Sequence, residues 1–225
     1  APVDGLIVFP GTSQFLNPRL LQMVIDKYPL VLIDQNIQII QQTSVGTDNA
    51  LAVSQGLSYI SSQGHKNVGI LLPTIDNSVL QERCDAVFQY SAITGFPLKQ
   101  ELWLKDLGHS SEIVSKESID RIALHLTEHP EITALFAFQY PLAVAADQAA
   151  RRIGRTTGKD LSILCFDSPL PLFGRPQFTH LHQDETAIGE KAVELLLKLI
   201  SHPVQAPQNV KIPAKLVEGE SFFAL

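Results

Sequence analysis

Residues 161–166 form an apolar run that ends directly in a carboxylate, and this run constrains the fold more than any other stretch. A run of this length is typical of a strand buried on both faces of a parallel sheet. Asp167 would then lie at the carboxyl edge of that sheet, where open α/β sheets bind their ligands. An Asx turn before Ser168 and Pro169 would explain the same residue, because aspartate is common in turns. The rest of the chain has to decide between these two roles.

Short apolar runs and amphipathic segments alternate along almost the whole chain. Further strands are predicted at residues 3–9, 30–33, 44–47, 67–72, 102–104, 133–138, 178–181, 210–212 and 214–217. Helices are predicted from Pro18 onwards and at residues 48–63, 78–94, 109–128, 141–153 and 186–201. This alternation indicates an α/β protein with parallel sheets.

The composition is that of a globular protein whose own surface is poorly suited to nucleic acid. Its 225 residues are 45% hydrophobic and 18% charged, which allows an ample core. The net charge is −6 and no basic run occurs, whereas phosphate binding needs clustered Lys and Arg. Two cysteines do not make a disulfide framework, which fits a reducing cytoplasm, and no apolar run has transmembrane length. We therefore expect a cytoplasmic protein without a membrane partner.

Motifs of common catalytic sites are missing from the sequence. It contains no nucleophile elbow, P-loop, dinucleotide-binding glycine motif or HExxH zinc motif. The seven histidines are scattered; His180 and His182 share one face of a predicted strand, without a Cys or carboxylate at ligand spacing. We predict no enzyme activity, no cofactor and no metal site.

An ordered set of segments resembles the effector-binding region of the LacI/GalR family of bacterial transcription regulators. The matching segments are residues 3–7 (VDGLI), 29–34 (PLVLID), 45–49 (VGTDN), 64–69 (GHKNVG), Arg83, 133–137 (TALFA), 160–167 (DLSILCFD) and Gln183 with Gly189. The resemblance covers essentially the whole chain. It departs at residues 138–140, where Phe-Gln-Tyr replaces the family's Ser-Asn-Asp, and at Ala86, where the family has glycine.

The resemblance implies a fold like that of periplasmic binding proteins, with two parallel-sheet αβα lobes joined by three crossings. We expect residues 1–73 and 183–207 in the first lobe and residues 74–182 and 208–225 in the second. The crossings would lie near Pro73, His182 and Pro207. The family's helix-turn-helix domain and the first two strand–helix units of its sensor domain have no counterpart here, so we expect a partial first lobe.

The resemblance also implies that the ligand lies in the cleft between the lobes. Candidate ligand-binding residues lie at predicted strand ends, in first helical turns or in one loop, and they are Asp48, Arg83, Gln139, Asp167, Gln183, Phe138, Tyr140 and Ser13. Several of them have a simpler alternative: an N-cap for Asp48, a surface residue for Arg83 and a hinge residue for Gln183. Core packing would explain Phe138 and Tyr140, and turn chemistry would explain the serine.

The function implied by the resemblance is that of a ligand-sensing domain of a bacterial transcriptional regulator, with a repressor favoured over an activator. It would bind a small effector, for which a sugar is the favoured class, and would act as a homodimer. Operator DNA would be bound by an N-terminal domain that is not in this chain. The alternative is a periplasmic or surface sugar-binding protein of a transport system, which would need a signal sequence and no DNA module.

Overall fold

The structure is a computed structural model that describes residues 3–10, 18–35, 41–108, 115–202 and 206–225. In these ranges strands and helices alternate along the chain. The strands are β1 (Leu6–Val8), β2 (Leu30–Ile33), β3 (Ser44–Thr47), β4 (Val68–Leu71), β5 (Ala134–Ala137), β6 (Ser162–Phe166), β7 (Thr179–His182), β8 (Asn209–Ile212) and β9 (Lys215–Val217). The helices are α1 (Pro18–Ile25), α2 (Asn49–Ser62), α3 (Ser78–Thr94), α4 (Lys116–Glu128), α5 (Tyr140–Arg152) and α6 (Glu185–Ser201).

The strands form two separate sheets. The first has the order β1-β2-β3-β8 and is parallel throughout. The second has the order β4-β5-β6-β7-β9 and is parallel except for β9, which runs antiparallel to β7. Every residue of β4, β5 and β6 is buried, as expected for apolar runs covered on both faces. The prediction of an α/β fold with two mainly parallel sheets is confirmed.

Helices cover both faces of the second sheet. On one face, α2 and α3 pack in a core that includes Leu57, Val87 and Phe136. On the other, α4 and α5 pack in a core that includes Ile122 and Ala146. In the first sheet, a smaller core joins β2 and β3 to α6. The second sheet is therefore the more thoroughly enclosed of the two.

Four helices begin at a side chain that satisfies a free backbone N–H of the first turn. The oxygens of Asp48, Asn77, Ser115 and Asp184 each accept a hydrogen bond from the backbone N–H three residues ahead. This is the usual N-cap arrangement, and it fixes where α2, α3, α4 and α6 begin. Three of these helices follow a strand or a crossing, so the caps also set the direction in which the chain leaves the sheets.

Two of the expected crossings between the sheets are wrong. β4 pairs with β5, and α2 packs in the core of the second sheet, so the chain crosses after Thr47 rather than near Pro73. β8 pairs with β3 of the first sheet, so the last crossing follows Ile212 rather than lying near Pro207. The middle crossing follows His182, at the end of β7. Which sheet a strand joins depends on its pairing partner, and the local sequence pattern does not encode that partner.

Smaller differences concern the segment before α4. The strand predicted at residues 102–104 is instead a 3₁₀ turn, Gln100–Leu102, followed by a single bridge between Leu104 and Leu71 at the edge of the second sheet. The helix predicted from residue 109 begins at Lys116, and residues 109–114 lie outside the described residues. Among the helices that are described, none is both long enough and apolar enough to cross a membrane.

Candidate functional site

A cleft of about 410 Å³ lies where the carboxyl ends of the strands from both sheets approach each other. Its lining residues come from the ends of β1, β2, β5, β6 and β7, from the first two turns of α3 and from the start of α5. They are Phe9, Asp34, Gln35, Asn77, Val79, Leu80, Arg83, Phe138, Gln139, Tyr140, Pro141, Phe166, Asp167 and Gln183. The volume suits a small molecule, and the carboxyl edge of parallel sheets is where such ligands bind.

Two carboxylates occupy equivalent positions at the ends of strands in the two sheets. Asp34 follows β2 and Asp167 follows β6, and both have positive φ, 67° and 56° respectively. The backbone N–H of Asp34 donates to the carbonyl of Val45 (2.8 Å), and that of Asp167 donates to the carbonyl of Leu181 (3.0 Å). Each carboxylate is therefore held by its neighbouring strand in a left-handed conformation that few side chains tolerate.

Gly46 allows the close approach that fixes the first of these carboxylates. A Cβ atom at Gly46 would lie 2.9 Å from the Cα atom of Asp34 and 3.2 Å from its carbonyl oxygen. Ordinary carbon–carbon contacts are about 3.5–4.0 Å long, so any side chain here would push the aspartate away from β3.

Arg83 is buried at the base of the cleft, with 4% of its surface exposed. Its Nε donates to Asn49 Oδ1 (2.9 Å), and its Nη1 donates to the carbonyl of Phe138 (2.8 Å). Its Cζ lies 3.4 Å from the centroid of the Phe166 ring, so the guanidinium stacks on that ring. A longer contact of 3.5 Å joins Nη2 to Gln183 Oε1. The alternative of a surface arginine is therefore wrong.

Burial and neighbouring charges oppose each other at this guanidinium. Burial lowers the pKa of Arg83 to about 10, while the nearby carboxylates of Asp34, Asp167 and Glu82 act to raise it. Burial also raises the pKa of Asp34; Arg83 opposes this shift, and Asp167 and Glu82 add to it. At neutral pH the arginine remains charged, and the Asp34 carboxylate is held in a site that burial makes unfavourable for its charge.

Gln183 connects the cleft to the hinge. Its Nε2 donates to Asp167 Oδ2 (2.7 Å) and its backbone N–H donates to Asp167 Oδ1 (3.3 Å). Its Oε1 accepts a hydrogen bond from Thr47 Oγ1 (2.6 Å), at the end of β3. The side-chain amide of Gln183 thus joins the carboxylate of the second sheet to the first sheet. Gln183 both lines the cleft and lies at the middle crossing, so the two roles that the sequence suggested for it are compatible.

The structure gives residues 138–140 three different environments. Phe138 is fully buried, its ring packs edge-to-face against two other phenylalanines, and it supplies a carbonyl to Arg83. Gln139 stands before α5, lines the cleft and makes no capping hydrogen bond through its side chain. Tyr140 also lines the cleft, with its ring edge-to-face on Phe178 at 6.0 Å. Gln139 and Tyr140 are therefore the two residues of this group that bring a polar side chain to the cleft.

The two remaining candidates are Asp48, which caps a helix, and Ser13. Asp48 Oδ1 accepts the backbone N–H of Leu51 at 3.0 Å as the N-cap of α2, and Asp48 is not among the lining residues. Ser13 lies outside the described residues. In the part of the chain that is described, no group of three or more His, Cys, Asp or Glu side chains could hold a metal ion.

Sequence reasoning missed Asp34, Gln35 and Asn77 as cleft residues. For Asp34 the signal was present, since it closes the apolar run of β2 as Asp167 closes that of β6. Gln35 is buried beside it, and Asn77 combines a cleft position with capping of α3 through the backbone N–H of Leu80 (3.0 Å). Nothing in the local sequence distinguishes these two amides from other turn residues.

Comparison with known proteins identifies the family. Residues 57–222 match the family model of a periplasmic binding protein-like domain. The ribose operon repressor of Haemophilus influenzae is 25% identical over 224 residues, which cover 99% of this chain but 65% of that protein. A regulatory protein of the LacI family from Chloroflexus aggregans superposes with a TM-score of 0.82 at 22% identity, covering 99% of this chain and 78% of that chain.

A second solved structure is a LacI family transcriptional regulator from Enterococcus faecium with bound ribose. It superposes with a TM-score of 0.77 at 19% identity, covering 99% of this chain and 80% of that chain. The family model spans most of the chain, and the cleft lies between two mainly parallel sheets. The chain therefore belongs to the family of periplasmic binding protein-like domains, and its relatives within that family are LacI-type transcriptional regulators.

Proposed function

We propose that this chain is the effector-binding domain of a LacI-type transcriptional repressor and that it binds a neutral, polyhydroxylated ligand such as a sugar. The observation that carries the proposal is the pair Asp34 and Asp167, one from each sheet, with Arg83 between the sheets in the same cleft. A carboxylate can accept hydrogen bonds from two neighbouring hydroxyl groups, which is the pattern that a sugar offers. The relatives that are named for ribose, or were solved with ribose, support the same ligand class.

The charge of the cleft favours an uncharged ligand over a phosphorylated one. Among the lining residues that the structure describes, Arg83 is the only Lys or Arg, and all three of its nitrogens already donate to protein oxygens. Asp34 and Asp167 would repel a phosphate, whereas hydroxyl groups would donate to both. A donor close to Asp34 would also relieve the unfavourable burial of its charge.

Ligand binding would regulate the protein by changing the angle between the sheets. A ligand that contacts both aspartates favours the arrangement in which the two carboxylates are the right distance apart. Only this difference in affinity between arrangements can shift the equilibrium. In the complete protein, a homodimer, the shift would alter the affinity of a DNA-binding domain outside this chain for its operator.

Isothermal titration calorimetry of the chain against a panel of pentoses, hexoses, sugar phosphates and nucleobases tests the proposal. We expect D-ribose or another neutral sugar to bind and its phosphate to bind more weakly. Asp167→Asn should weaken binding by about 1.5–3 kcal/mol, roughly ten- to hundredfold, because a charge-assisted hydrogen bond is lost. Asp85→Asn, on the exposed face of α3, is the matched control and should bind like the wild type. The proposal is wrong if no sugar binds, or if phosphorylated sugars bind more tightly than neutral ones.

A further inference from the structure

We infer that Lys211, Glu82 and Asn49 form a relay that positions Arg83 from the opposite sheet, so that ligand affinity depends on an ion pair outside the cleft. The inference rests on the proposed function of the cleft and adds positioning residues to it. None of the three relay residues lines the cleft, and Arg83 is the point at which they reach it.

The relay is a continuous chain of hydrogen bonds. Lys211 Nζ donates to Glu82 Oε2 (2.8 Å) and Oε1 (3.1 Å). Glu82 Oε2 also accepts a hydrogen bond from Asn49 Nδ2 (3.1 Å), and Asn49 Oδ1 accepts one from Arg83 Nε (2.9 Å). An ammonium and a guanidinium can only donate and a carboxylate can only accept, so the Asn49 amide has one possible orientation. Reversing it would place an N–H against Arg83 and an oxygen against Glu82.

The inner part of the relay is buried, and the outer part is half-exposed. Asn49 and Arg83 are 1% and 4% exposed, whereas the side chains of Lys211 and Glu82 are 32% and 36% exposed. A half-exposed ion pair contributes little stability on its own. Its effect here is to hold the Glu82 carboxylate where it orients a buried amide, and a misoriented buried donor or acceptor is costly.

The ion pair joins the two halves of the fold. Lys211 lies on β8 of the first sheet, while Glu82 lies on α3, which packs in the core of the second sheet. Asn49 is the first residue of α2, directly after the first crossing. A change in the angle between the sheets would therefore move Lys211 relative to Glu82 and alter the orientation of Arg83. By linkage, a ligand that depends on Arg83 would favour the angle at which the ion pair forms.

A second ion pair near another crossing provides a matched control. Lys215, on β9, donates to Asp184 Oδ2 at 3.0 Å, and Asp184 caps α6 through the backbone N–H of Ala187. This pair also connects the second sheet with a helix of the first. Its carboxylate interacts with the start of α6 rather than with Asn49 or Arg83.

The experiment compares Lys211→Met, Glu82→Met and the control Lys215→Met in the 225-residue chain. The first measurement is the hydrogen-exchange rate of the Arg83 Nε–H by NMR, with the signal assigned by its loss in Arg83→Lys. We expect exchange to be about tenfold faster in the first two variants, because Asn49 is no longer held as an acceptor, and unchanged in the control. The second measurement is the affinity for D-ribose, which should weaken about three- to tenfold in the same two variants only.

The two measurements separate failure of the relay from failure of the proposed ligand. Wild-type exchange rates in Lys211→Met and Glu82→Met would overturn the relay, whatever the sugar affinities. Equal acceleration in Lys215→Met would overturn it as well, because the effect would then be general loosening. If no sugar of the calorimetric panel binds even the wild type, the sugar proposal fails while the exchange rates still decide the relay.

Discussion

Replacing one donor of Gln183 tests whether its amide holds the two sheets together at Asp167. In Gln183→Glu the Nε2 that donates to Asp167 Oδ2 at 2.7 Å becomes an oxygen, while the acceptor for Thr47 is retained. Loss of a hydrogen bond to a charged group costs about 1.5–3 kcal/mol. Two carboxylates about 4 Å apart would add about 4 kcal/mol of repulsion at an effective dielectric constant of about 20.

Proton uptake limits that cost and makes it depend on pH. A free glutamate has a pKa of about 4.3, so protonating one costs about 4 kcal/mol at pH 7 and about 1 kcal/mol at pH 5. A protonated carboxyl can donate to Asp167 again, so the variant should take up a proton rather than bear the full repulsion. The pKa of the introduced carboxyl is thus raised in the folded state, and the penalty is present at high pH and lost as the pH falls. We expect Gln183→Glu to be less stable than the wild type by about 3–4 kcal/mol at pH 7 and by about 1 kcal/mol at pH 5.

The assay is urea unfolding followed by circular dichroism at both pH values, with Gln81→Glu as the control. Gln81 Nε2 donates to Asp85 Oδ1 at 2.9 Å on the exposed face of α3, so the control makes the same chemical change in water. Its cost should be about 0.2–0.5 kcal/mol at pH 7, because like charges four residues apart on a helix repel weakly. Equal losses in the two variants, or a loss in Gln183→Glu that is the same at pH 5 and pH 7, would refute the reasoning.

Two further substitutions test how the first sheet holds its carboxylate. Asp34→Asn should raise the melting temperature at pH 7, because burial raises the pKa of Asp34 and the charged form is disfavoured in the fold. The gain in melting temperature should shrink as the pH falls from 7 through the raised pKa towards 3.8, because the wild-type carboxyl then takes up its proton. An equal gain at pH 7 and at pH 3.8 would contradict this prediction. Gly46→Ala should cost about 1–3 kcal/mol and lower the melting temperature by about 3–10 °C, because the new methyl group meets the Asp34 backbone at 2.9 Å. Gly189→Ala, where a Cβ meets nothing within 4 Å, is its control in the same scanning calorimetry and should not destabilise the protein.

The secondary structure could be predicted from the sequence because its apolar runs form the buried strands of the sheets. β6 is buried at every residue, and α3 spans the residues predicted for it. The assignment of β4 and β8 to a sheet could not be predicted, because the composition of a short strand does not encode which strand it pairs with. The first crossing was therefore predicted too late in the chain. The buried face of α2 packs in the same core as Phe136 of the second sheet, and this packing exists only in the folded chain.

Part of the candidate site could also be predicted from the sequence. Arg83 and Asp167 lie in matched segments, and the structure brings both to the cleft. The partners that hold Arg83 could not be predicted, because Glu82 and Lys211 are 129 residues apart and meet only in the folded chain. Asp48 was predicted as a ligand residue but caps a helix. The sequence pattern of an aspartate before a helix is the same whether its side chain caps the helix or binds a ligand.

The left-handed backbone at Asp34 and Asp167 restricts how the specificity of this cleft can change during evolution. At such φ values aspartate, asparagine and glycine are the residues accommodated with least strain. Exchange between aspartate and asparagine turns an acceptor into a mixed donor and acceptor without moving the main chain, and it changes the net charge of the cleft by one. Single substitutions at these two strand ends could therefore adapt one scaffold to ligands of different charge, whereas β-branched side chains there would strain the left-handed backbone.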